Sequence, residues 1–420
     1  MKIVKLKKEK FDEIAKNQPL GNYYQTISYG NLMTSSGFTP NYIGFVHNNL
    51  LVGVSLILSR EVFMGLKYGY APRGLLINYE DYSIVPELLK KLKSYLFKSG
   101  YLILKIDPLI IKTIRNKKGD ILNQNNNIDN IMKTLTNGDF IHCGFNNYLE
   151  AVKPRWHAMV ELKNKTAVEL FYNLEKNIRN KLRKSTKFGI EIYKASNDQI
   201  ETMYEFIKNK GNYSLEYYKN FAKCFPNEFE IYFARINTNA YVSNSKDLYE
   251  KEVENNDYLN NTIQDEGLKG KDMRLILNKK MQSDKVLDSY KKHLIFSTNL
   301  LKKYPNNIII GGAIVVKHNN TLNLLIDGYL PEYKNLSPSY LTKWKIIEKY
   351  AGSDMEYFDL NAIVGDFGKN SKFKGLNESK LGFDAKAIEY IGEFNVICNK
   401  PMYNLYRSTK DKFNLKNYKK

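Results

Sequence analysis

The sequence predicts an α/β protein of two or three domains with a helical insert, and three observations lead to that prediction. The chain has 420 residues, and 43% of them are apolar, which is enough for a core in each of several domains of about 150 residues. Segments with strand-like and helix-like patterns alternate along most of the chain. A polar stretch, 244–303, interrupts that alternation with almost no strand signal.

The first α/β unit is predicted from apolar patterns in the first third of the chain. Strand-like patterns occupy 41–46, 50–58 and 101–106, and 85–99 has the apolar spacing of a helix. An Asn-rich surface loop is expected at 123–130, followed by a short helix at 131–136.

A second α/β unit is predicted on both sides of the polar stretch. Before it we expect strand 157–162, helix 167–187, strand 189–193 and helix 200–208. After it, 308–316 and 321–329 form a strong β-hairpin signal through Asn319-Asn320, and strands are expected at 357–361 and 385–394.

The polar stretch itself is predicted to be an antiparallel helical hairpin, a coiled-coil arm. Its leucines are thinly spaced, and a Gly-x-x-Gly break at Gly267 to Gly270 divides it in two. A disordered insert is the alternative. The resulting domains are 1–150, then 151–243 with 304–400, with the arm at 244–303 and a basic tail at 401–420.

Charge and cysteine usage limit the possible partners. Lys and Arg number 64 against 44 acids, a net charge of +20, which favours a polyanion or an anionic surface as partner, although an A/T-biased coding sequence gives the same excess. Three scattered cysteines and five histidines make a metal site or disulfide framework unexpected. No secretory signal or membrane span is evident, so we expect a soluble, cytoplasmic protein.

A set of short motifs follows one another along nearly the whole chain. They are Gln25-Thr26 with Tyr29 and Gly37-Phe38, Lys67-Tyr68 through Arg73-Gly74, Leu104 through Asp107-Pro108, Pro154-Arg155-Trp156, the basic segment 177–187 ending in Phe188-Gly189, Lys380-Leu381-Gly382-Phe383, and Glu389 through Phe394. In order and spacing the chain resembles the FemABX family of peptidoglycan-bridge aminoacyltransferases. The predicted arm is shared with the FemA- and FemB-like branch of that family.

The resemblance implies two tandem acyl-CoA N-acyltransferase (GNAT)-like domains. It implies aminoacyl-tRNA as the donor of a Gly, Ala or Ser class amino acid, and a lipid-linked or nucleotide-linked peptidoglycan precursor as the acceptor. Coenzyme A is disfavoured independently, because a pyrophosphate loop needs glycines and the corresponding segment 336–340 contains Pro338 and Tyr340. We therefore expect no cofactor, and Tyr340 becomes a candidate substrate contact.

The chemistry is aminolysis of an ester, in which negative charge develops on the carbonyl oxygen. The resemblance assigns its stabilisation to Lys380, although Ser379 stands where the family usually has Phe. A solvated loop lysine is the alternative for Lys380. Asp107 is a candidate contact for the acceptor amine, with a strand-end turn residue as its alternative. No Ser/His/Asp or Cys/His arrangement identifies a general base.

A peptidoglycan precursor carries a diphosphate, for which arginine is well suited. The resemblance places Arg73 and Tyr70 in the first-domain cleft, and Arg155 is a second candidate. Tyr29 and Met33 stand where the family has Trp and Lys, and Asn209 to Tyr213 replaces its Arg-Asp-Gly loop. These departures leave the phosphate contacts open.

A basic helix is the candidate tRNA-binding surface. It carries six cations and no acid, namely Lys176, Arg179, Lys181, Arg183, Lys184 and Lys187. Such a face suits tRNA phosphates, while a solvated helix face is the alternative. The same charge suits peripheral contact with the anionic inner membrane surface. A homodimer or a paralogue partner is also compatible with the resemblance.

Two other functions remain open from the sequence. One is a tRNA- or RNA-binding protein without catalysis, for which Lys380 has no use. The other is tRNA-dependent transfer of an amino acid to a protein N-terminus or to a lipid such as phosphatidylglycerol. The first-domain motifs favour the peptidoglycan precursor over this second alternative.

Overall fold

The computed structural model describes residues 1–211, 213–264 and 270–409. Its first elements are, in chain order, β1 (Lys2–Lys5), α1 (Lys8–Lys16), α2 (Ile27–Ser35), β2 (Thr39–His47), β3 (Leu50–Phe63), β4 (Leu66–Ala71), β5 (Leu76–Ile77), α3 (Val85–Lys98), β6 (Tyr101–Ile106), β7 (Ile111–Arg115), β8 (Ile121–Gln124), α4 (Ile128–Asn137) and β9 (Phe140–His142).

The remaining elements alternate in the same way around a long helical pair. They are β10 (Trp156–Glu161), α5 (Ala167–Asn173), α6 (Lys176–Lys187), β11 (Ile190–Ala195), α7 (Ile200–Ile207), α8 (Leu215–Cys224), β12 (Phe229–Asn237), α9 (Thr238–Gln264), α10 (Gly270–Lys303), β13 (Asn307–His318), β14 (Thr321–Tyr329), α11 (Pro338–Tyr350), β15 (Tyr357–Ala362), α12 (Lys374–Leu381), β16 (Lys386–Tyr390), β17 (Phe394–Ile397) and α13 (Lys400–Thr409). Short 3₁₀ turns lie at Tyr23–Gln25, Asn197–Gln199 and Pro331–Leu336.

These strands form two mixed sheets, which confirms the predicted α/β class. The first sheet has the order β1-β2-β3-β4-β6-β17-β9, with β5 also paired to β3. The second has the order β11-β12-β13-β14-β15-β10-β16-β7-β8. The predicted hairpin is β13 and β14, and its turn residue Asn319 has a φ of 49°, a conformation that Asn tolerates well.

The two sheets exchange strands. β7 and β8 come from the first third of the chain but extend the second sheet, whereas β17 comes from near the end and joins β6 in the first. The crossing from β16 to β17 passes Gly392, whose φ of 99° favours glycine. The predicted strand 385–394 is therefore two strands in different sheets. The division into domains at residue 150 stays a prediction.

Helices α9 and α10 form the predicted antiparallel arm. The Tyr241 hydroxyl lies 2.8 Å from His293 Nδ1, and Asn256 Nδ2 donates to Ser283 Oγ at 3.1 Å, so the paired positions run in opposite directions along the chain. Gly267 of the predicted break lies outside the described residues. Most of the predicted basic tail, 410–420, also lies outside them.

An aromatic core joins the two halves of the chain. Tyr23, near the N-terminus, packs its ring 6.3 Å from the rings of both Phe221 and Phe225. This core continues through Leu56 to Phe233 in the second sheet. Because buried aromatic side chains contribute much of a core's stability, the two sheets are held in a fixed relation around the cavity described next. Among helices in the described ranges, none has the length and apolar content needed to cross a membrane.

Candidate active site

A cavity of about 1040 Å³ opens where two strands of the second sheet separate. β14 and β15 pair in parallel only from Thr321 opposite Tyr357 to Asn323 opposite Asp359. Beyond that point the strands diverge, and the next residues of each, 324–327 and 360–362, line the cavity. Tyrosines from the first half of the chain close the other side.

Asn361 bridges the two diverging strands. Its side-chain amide donates to the carbonyl oxygens of Leu324 at 3.0 Å and Leu325 at 3.3 Å. Its backbone has a φ of 67° and its N–H donates to Asp359 Oδ1 at 2.7 Å. Side-chain hydrogen bonds thus replace the ladder that ends here, so the gap keeps a defined width.

Lys380 lies in the cavity wall, on α12. Its Nζ donates to the carbonyl oxygen of Ala362 at 2.8 Å, the residue that follows Asn361. Burial, together with the charge of Lys343, lowers the pKa of Lys380 to about 8. A lysine enclosed with a neutral backbone acceptor can receive a second, negatively charged partner, as oxyanion stabilisation requires.

A second lysine of the cavity, Lys343, was not predicted from the sequence. Its Nζ lies 2.6 Å from Asp327 Oδ2 and 2.6 Å from Ser339 Oγ. Burial alone would raise the pKa of Asp327, but the charge and hydrogen bond of Lys343, with the Ser339 hydroxyl, hold it far below its usual value. The pair joins strand β14 to helix α11, which is why no local motif reveals it.

Three predicted residues from the first half meet in one buried network. Asp107 accepts hydrogen bonds from the Tyr70 hydroxyl at 3.0 Å and from the Arg73 backbone N–H at 2.7 Å. Arg73 Nη1 lies 3.6 Å from the same carboxylate. Burial raises the pKa of Asp107, even though the charge of Arg73 opposes it. These residues lie behind the cavity lining.

The network continues into the second sheet. Arg73 Nη2 donates to the Pro154 carbonyl at 2.8 Å and lies 3.0 Å from His157 Nε2, while His157 Nδ1 lies 2.7 Å from Asp359 Oδ2. Since a guanidinium only donates, His157 accepts at Nε2 and donates from Nδ1 in this arrangement. The network thus reaches from Asp107 to the segment that carries Asn361. The sequence did not single out His157 or Asp359.

Arg155 belongs to a different cluster and does not line the cavity. Its Nη1 donates to Glu389 Oε1 at 2.8 Å and to the Tyr390 carbonyl at 3.0 Å, and its Nε donates to the Asn146 carbonyl at 2.8 Å. The side chain is 2% exposed. The structure therefore separates the two predicted arginines, Arg73 and Arg155, into two clusters.

Tyr29 and Tyr340 lie on opposite sides of the cavity. Tyr29 is buried behind Tyr24, edge-on at 5.0 Å between ring centroids, and Tyr24 lines the cavity with Lys153 Nζ 3.9 Å from its ring centroid. Tyr340 lies in the first turn of α11, with Lys181 Nζ 3.9 Å from its ring centroid. Tyr340 therefore lines the cavity directly and Tyr29 supports its wall.

The six cations of the basic helix point in different directions. Lys181 and Lys184 line the cavity, and burial lowers the pKa of Lys184. Arg183 and Lys187 instead border a separate groove of about 620 Å³ that has aromatic side chains in its floor. Arg179 donates to the Tyr172 carbonyl, and Lys176 is exposed. The predicted helix 167–187 breaks at residues 174–175 into α5 and α6, which leaves all six cations on α6.

No group of three or more His, Cys, Asp or Glu side chains suited to a metal ion occurs in the described part of the chain. The segment considered for a pyrophosphate loop leads into α11, with Ser337 in the left-handed region at a φ of 53°. Its Pro338 and Tyr340 occupy the first turn of the helix.

Comparisons with known proteins agree with one another. A model of the FemAB family matches residues 6–411. The aminoacyltransferase FemA of Staphylococcus epidermidis is 25% identical over 98% of this chain and 99% of its own length, and that of Staphylococcus aureus is 23% identical over 98% of each. The crystal structure of FemX superimposes with a TM-score of 0.71 and 19% identity, covering 96% of this chain and 99% of its own. The likeness to FemX shows a shared fold.

Proposed function

The chain belongs to the FemAB family and is an aminoacyltransferase, and from that premise we propose that it transfers an amino acid of the Gly, Ala or Ser class from aminoacyl-tRNA to an amine of a peptidoglycan precursor. The family and the kind of enzyme predicted from the sequence are thereby confirmed. The product extends the interpeptide bridge of the precursor.

The position of Lys380 in the cavity wall carries this proposal. The acceptor amine attacks the ester carbonyl carbon, a C–N bond forms, and the ester C–O bond breaks as the tRNA ribose hydroxyl leaves with a proton from the amine. Charge on the carbonyl oxygen rises toward the tetrahedral state, and the Lys380 ammonium stabilises it. Its hydrogen-bond acceptor within the described ranges is a neutral carbonyl, so no carboxylate of those ranges competes with the incoming oxyanion for a hydrogen bond from Nζ.

The acceptor is proposed to enter from the side of Asp107. The Asp107 carboxylate lies behind the cavity lining, where Tyr70 and Arg73 hold it by hydrogen bonds. Its negative charge is proposed to attract the acceptor amine. Arg73 and Arg155, first considered for the diphosphate, must exchange existing partners to bind it. We therefore give Arg73 a positioning role and Arg155 a structural one, and propose that lysines of the lining, such as Lys210 and Lys334, neutralise the diphosphate.

The tRNA is proposed to lie along α6. Lys181 and Lys184 reach the cavity from this helix, and Arg183 and Lys187 extend the positive surface to its other side. Sequence-independent phosphate contacts of this kind give strong salt dependence. Aminoacyl-tRNA places the reaction in the cytoplasm, and a lipid-linked acceptor places it at the inner membrane face. A homodimer or a paralogue partner fits the same proposal.

The direct test supplies both substrates. The protein is incubated with a mixed pool of charged tRNAs and either a lipid-linked or a nucleotide-linked precursor, and the product is measured by mass spectrometry. We expect an added mass of one or more small amino acids that disappears with uncharged or ribonuclease-treated tRNA. Binding of tRNA with no added mass on either precursor would favour the non-catalytic RNA-binding alternative.

A further inference from the structure

The lining of the cavity has an unusual charge balance. Among its described residues are seven lysines, Lys153, Lys181, Lys184, Lys210, Lys334, Lys343 and Lys380, and a single acid, Asp327. Lysines suit the phosphates and the oxyanion of the proposed reaction. An aminoacyl ester, however, also carries a free α-ammonium next to its carbonyl, and that group needs a negative partner.

Asp327 differs from the other carboxylates near the site in having an oxygen available. Both oxygens of Asp107 and both of Asp359 accept hydrogen bonds from neighbouring groups. Lys343 and Ser339 both donate to Oδ2 of Asp327, while Oδ1 accepts no hydrogen bond from the described part of the chain. The side chain is 21% exposed, toward the cavity that it lines.

Its position relative to Lys380 matches the shape of the donor. The ammonium and the carbonyl oxygen of an aminoacyl ester are attached to adjacent carbons, so their binding groups must be neighbours of opposite charge. Asp327 and Lys380 both line the cavity, Asp327 acts electrostatically on Lys380, and Lys343 acts electrostatically on both. Lys343 and Ser339 fix the carboxylate so that its remaining oxygen is oriented before the donor arrives.

We infer that Asp327 binds the α-ammonium of the aminoacyl donor and thereby selects esters of α-amino acids. This inference rests on the proposed function and adds a residue that determines donor specificity. Asp107, which lies behind the lining, remains the proposed contact for the acceptor amine, and that amine must displace one of its present donors.

The test compares two donors that differ at one group. One is tRNA charged with glycine, alanine or serine, and the other is the same tRNA charged with the corresponding α-hydroxy acid. Wild-type protein is expected to prefer the amino ester in kcat/KM by about 30-fold, the effect of one hydrogen bond to a charged group. Asp327→Asn is expected to reduce that preference to within about threefold of unity.

Lys343→Met is the matched control, because it breaks the same ion pair but keeps the carboxylate. We expect it to lower transfer of both donors while retaining the preference for the amino ester. An Asp327→Asn protein that loses both donors equally, or a wild type that uses both donors equally well, would overturn the inference. The wild-type comparison decides even where a variant fails to fold. Transfer of neither donor by the wild type would instead refute the proposed function.

Discussion

Arg155, which is buried, and Lys380, which is half-buried in the cavity wall, are two cations with opposite surroundings. Arg155 has a carboxylate, two backbone carbonyls and flanking aromatic rings as partners. Among the residues that the structure describes, Lys380 donates a hydrogen bond to one backbone carbonyl, and the cavity wall around it contains a second lysine, Lys343. A buried charge that is fully paired maintains structure, whereas one left with a neutral partner is prepared for a ligand or a transition state.

The largest effect is expected from Lys380→Met. Removing the cation that stabilises the oxyanion should lower kcat by about 10²–10³-fold, or about 3–4 kcal/mol, without lowering the melting temperature. Steady-state kinetics and thermal unfolding measure both quantities. Lys374→Met, on the exposed side of the same helix, should leave both unchanged. Transfer within a few-fold of wild type would remove Lys380 from the mechanism.

Arg155→Met should show the opposite pattern. It removes the side-chain donor of two carbonyl oxygens and leaves Glu389 with Thr113 and the half-buried Lys112 and Arg115 as partners, so we expect a loss of about 3 kcal/mol in the free energy of unfolding. Urea denaturation measures it, and kcat of the folded fraction should stay near wild type. A raised KM for the precursor with unchanged stability would instead favour the diphosphate contact predicted from the sequence.

The pH dependence of transfer tests the role of Lys380 in the comparison with Arg155. Because burial and Lys343 lower the pKa of Lys380 to about 8, the ammonium is lost above that pH, and kcat should fall up to tenfold per pH unit. Lys380→Arg should move this limb to higher pH. A basic limb unchanged in Lys380→Arg would assign it to another group.

The same pKa has a consequence for stability. Folded Lys380 loses its proton near pH 8 and the unfolded side chain near 10.5, so the unfolded state binds more protons in between and stability due to this group rises with pH. Comparing denaturation of wild type and Lys380→Met across that range isolates the contribution. A constant difference between the two proteins would contradict it.

The smallest effect is expected on α6. Replacing Arg183 and Lys187 by Gln should make the plot of log binding constant against log salt shallower by about 1–2, since up to two phosphate contacts are lost. Filter binding or fluorescence anisotropy with tRNA measures the slope. Lys90→Gln with Lys91→Gln, an exposed pair on α3, is the control with equal charge change. Equal slopes in the two double variants would indicate that α6 is a solvated surface and does not contact tRNA phosphates.

Local patterns predicted much of the fold. The strand at 101–106 and the hairpin through Asn319 follow apolar runs and turn residues that lie close together in sequence, so their prediction needed no tertiary information. The break of α5 from α6 at Leu174 was missed because apolar spacing continues across it. Leu174 is buried in the core under the second sheet, so tertiary packing determines this break.

Residues of the site could be predicted only where they belong to a recognisable sequence motif. Lys380 was recognised by family resemblance and Tyr340 from the segment that corresponds to a pyrophosphate loop, and the structure places both in the cavity lining. Lys343 with Asp327 and His157 with Asp359 are pairs that only the folded sheet brings together. Arg155 was predicted as a contact for the diphosphate, but its partner Glu389 lies 234 positions away, and no spacing rule identifies such a pair.

The exchange of strands between the two sheets restricts how this protein can be divided. A fragment ending near residue 150 leaves β6 without β17, so a buried central strand becomes an open edge that favours aggregation. During synthesis the first sheet stays incomplete until residues 394–397 emerge, which makes folding dependent on contacts between distant parts of the chain. A chimera that takes the first sheet from a relative must therefore also take β17 from that relative.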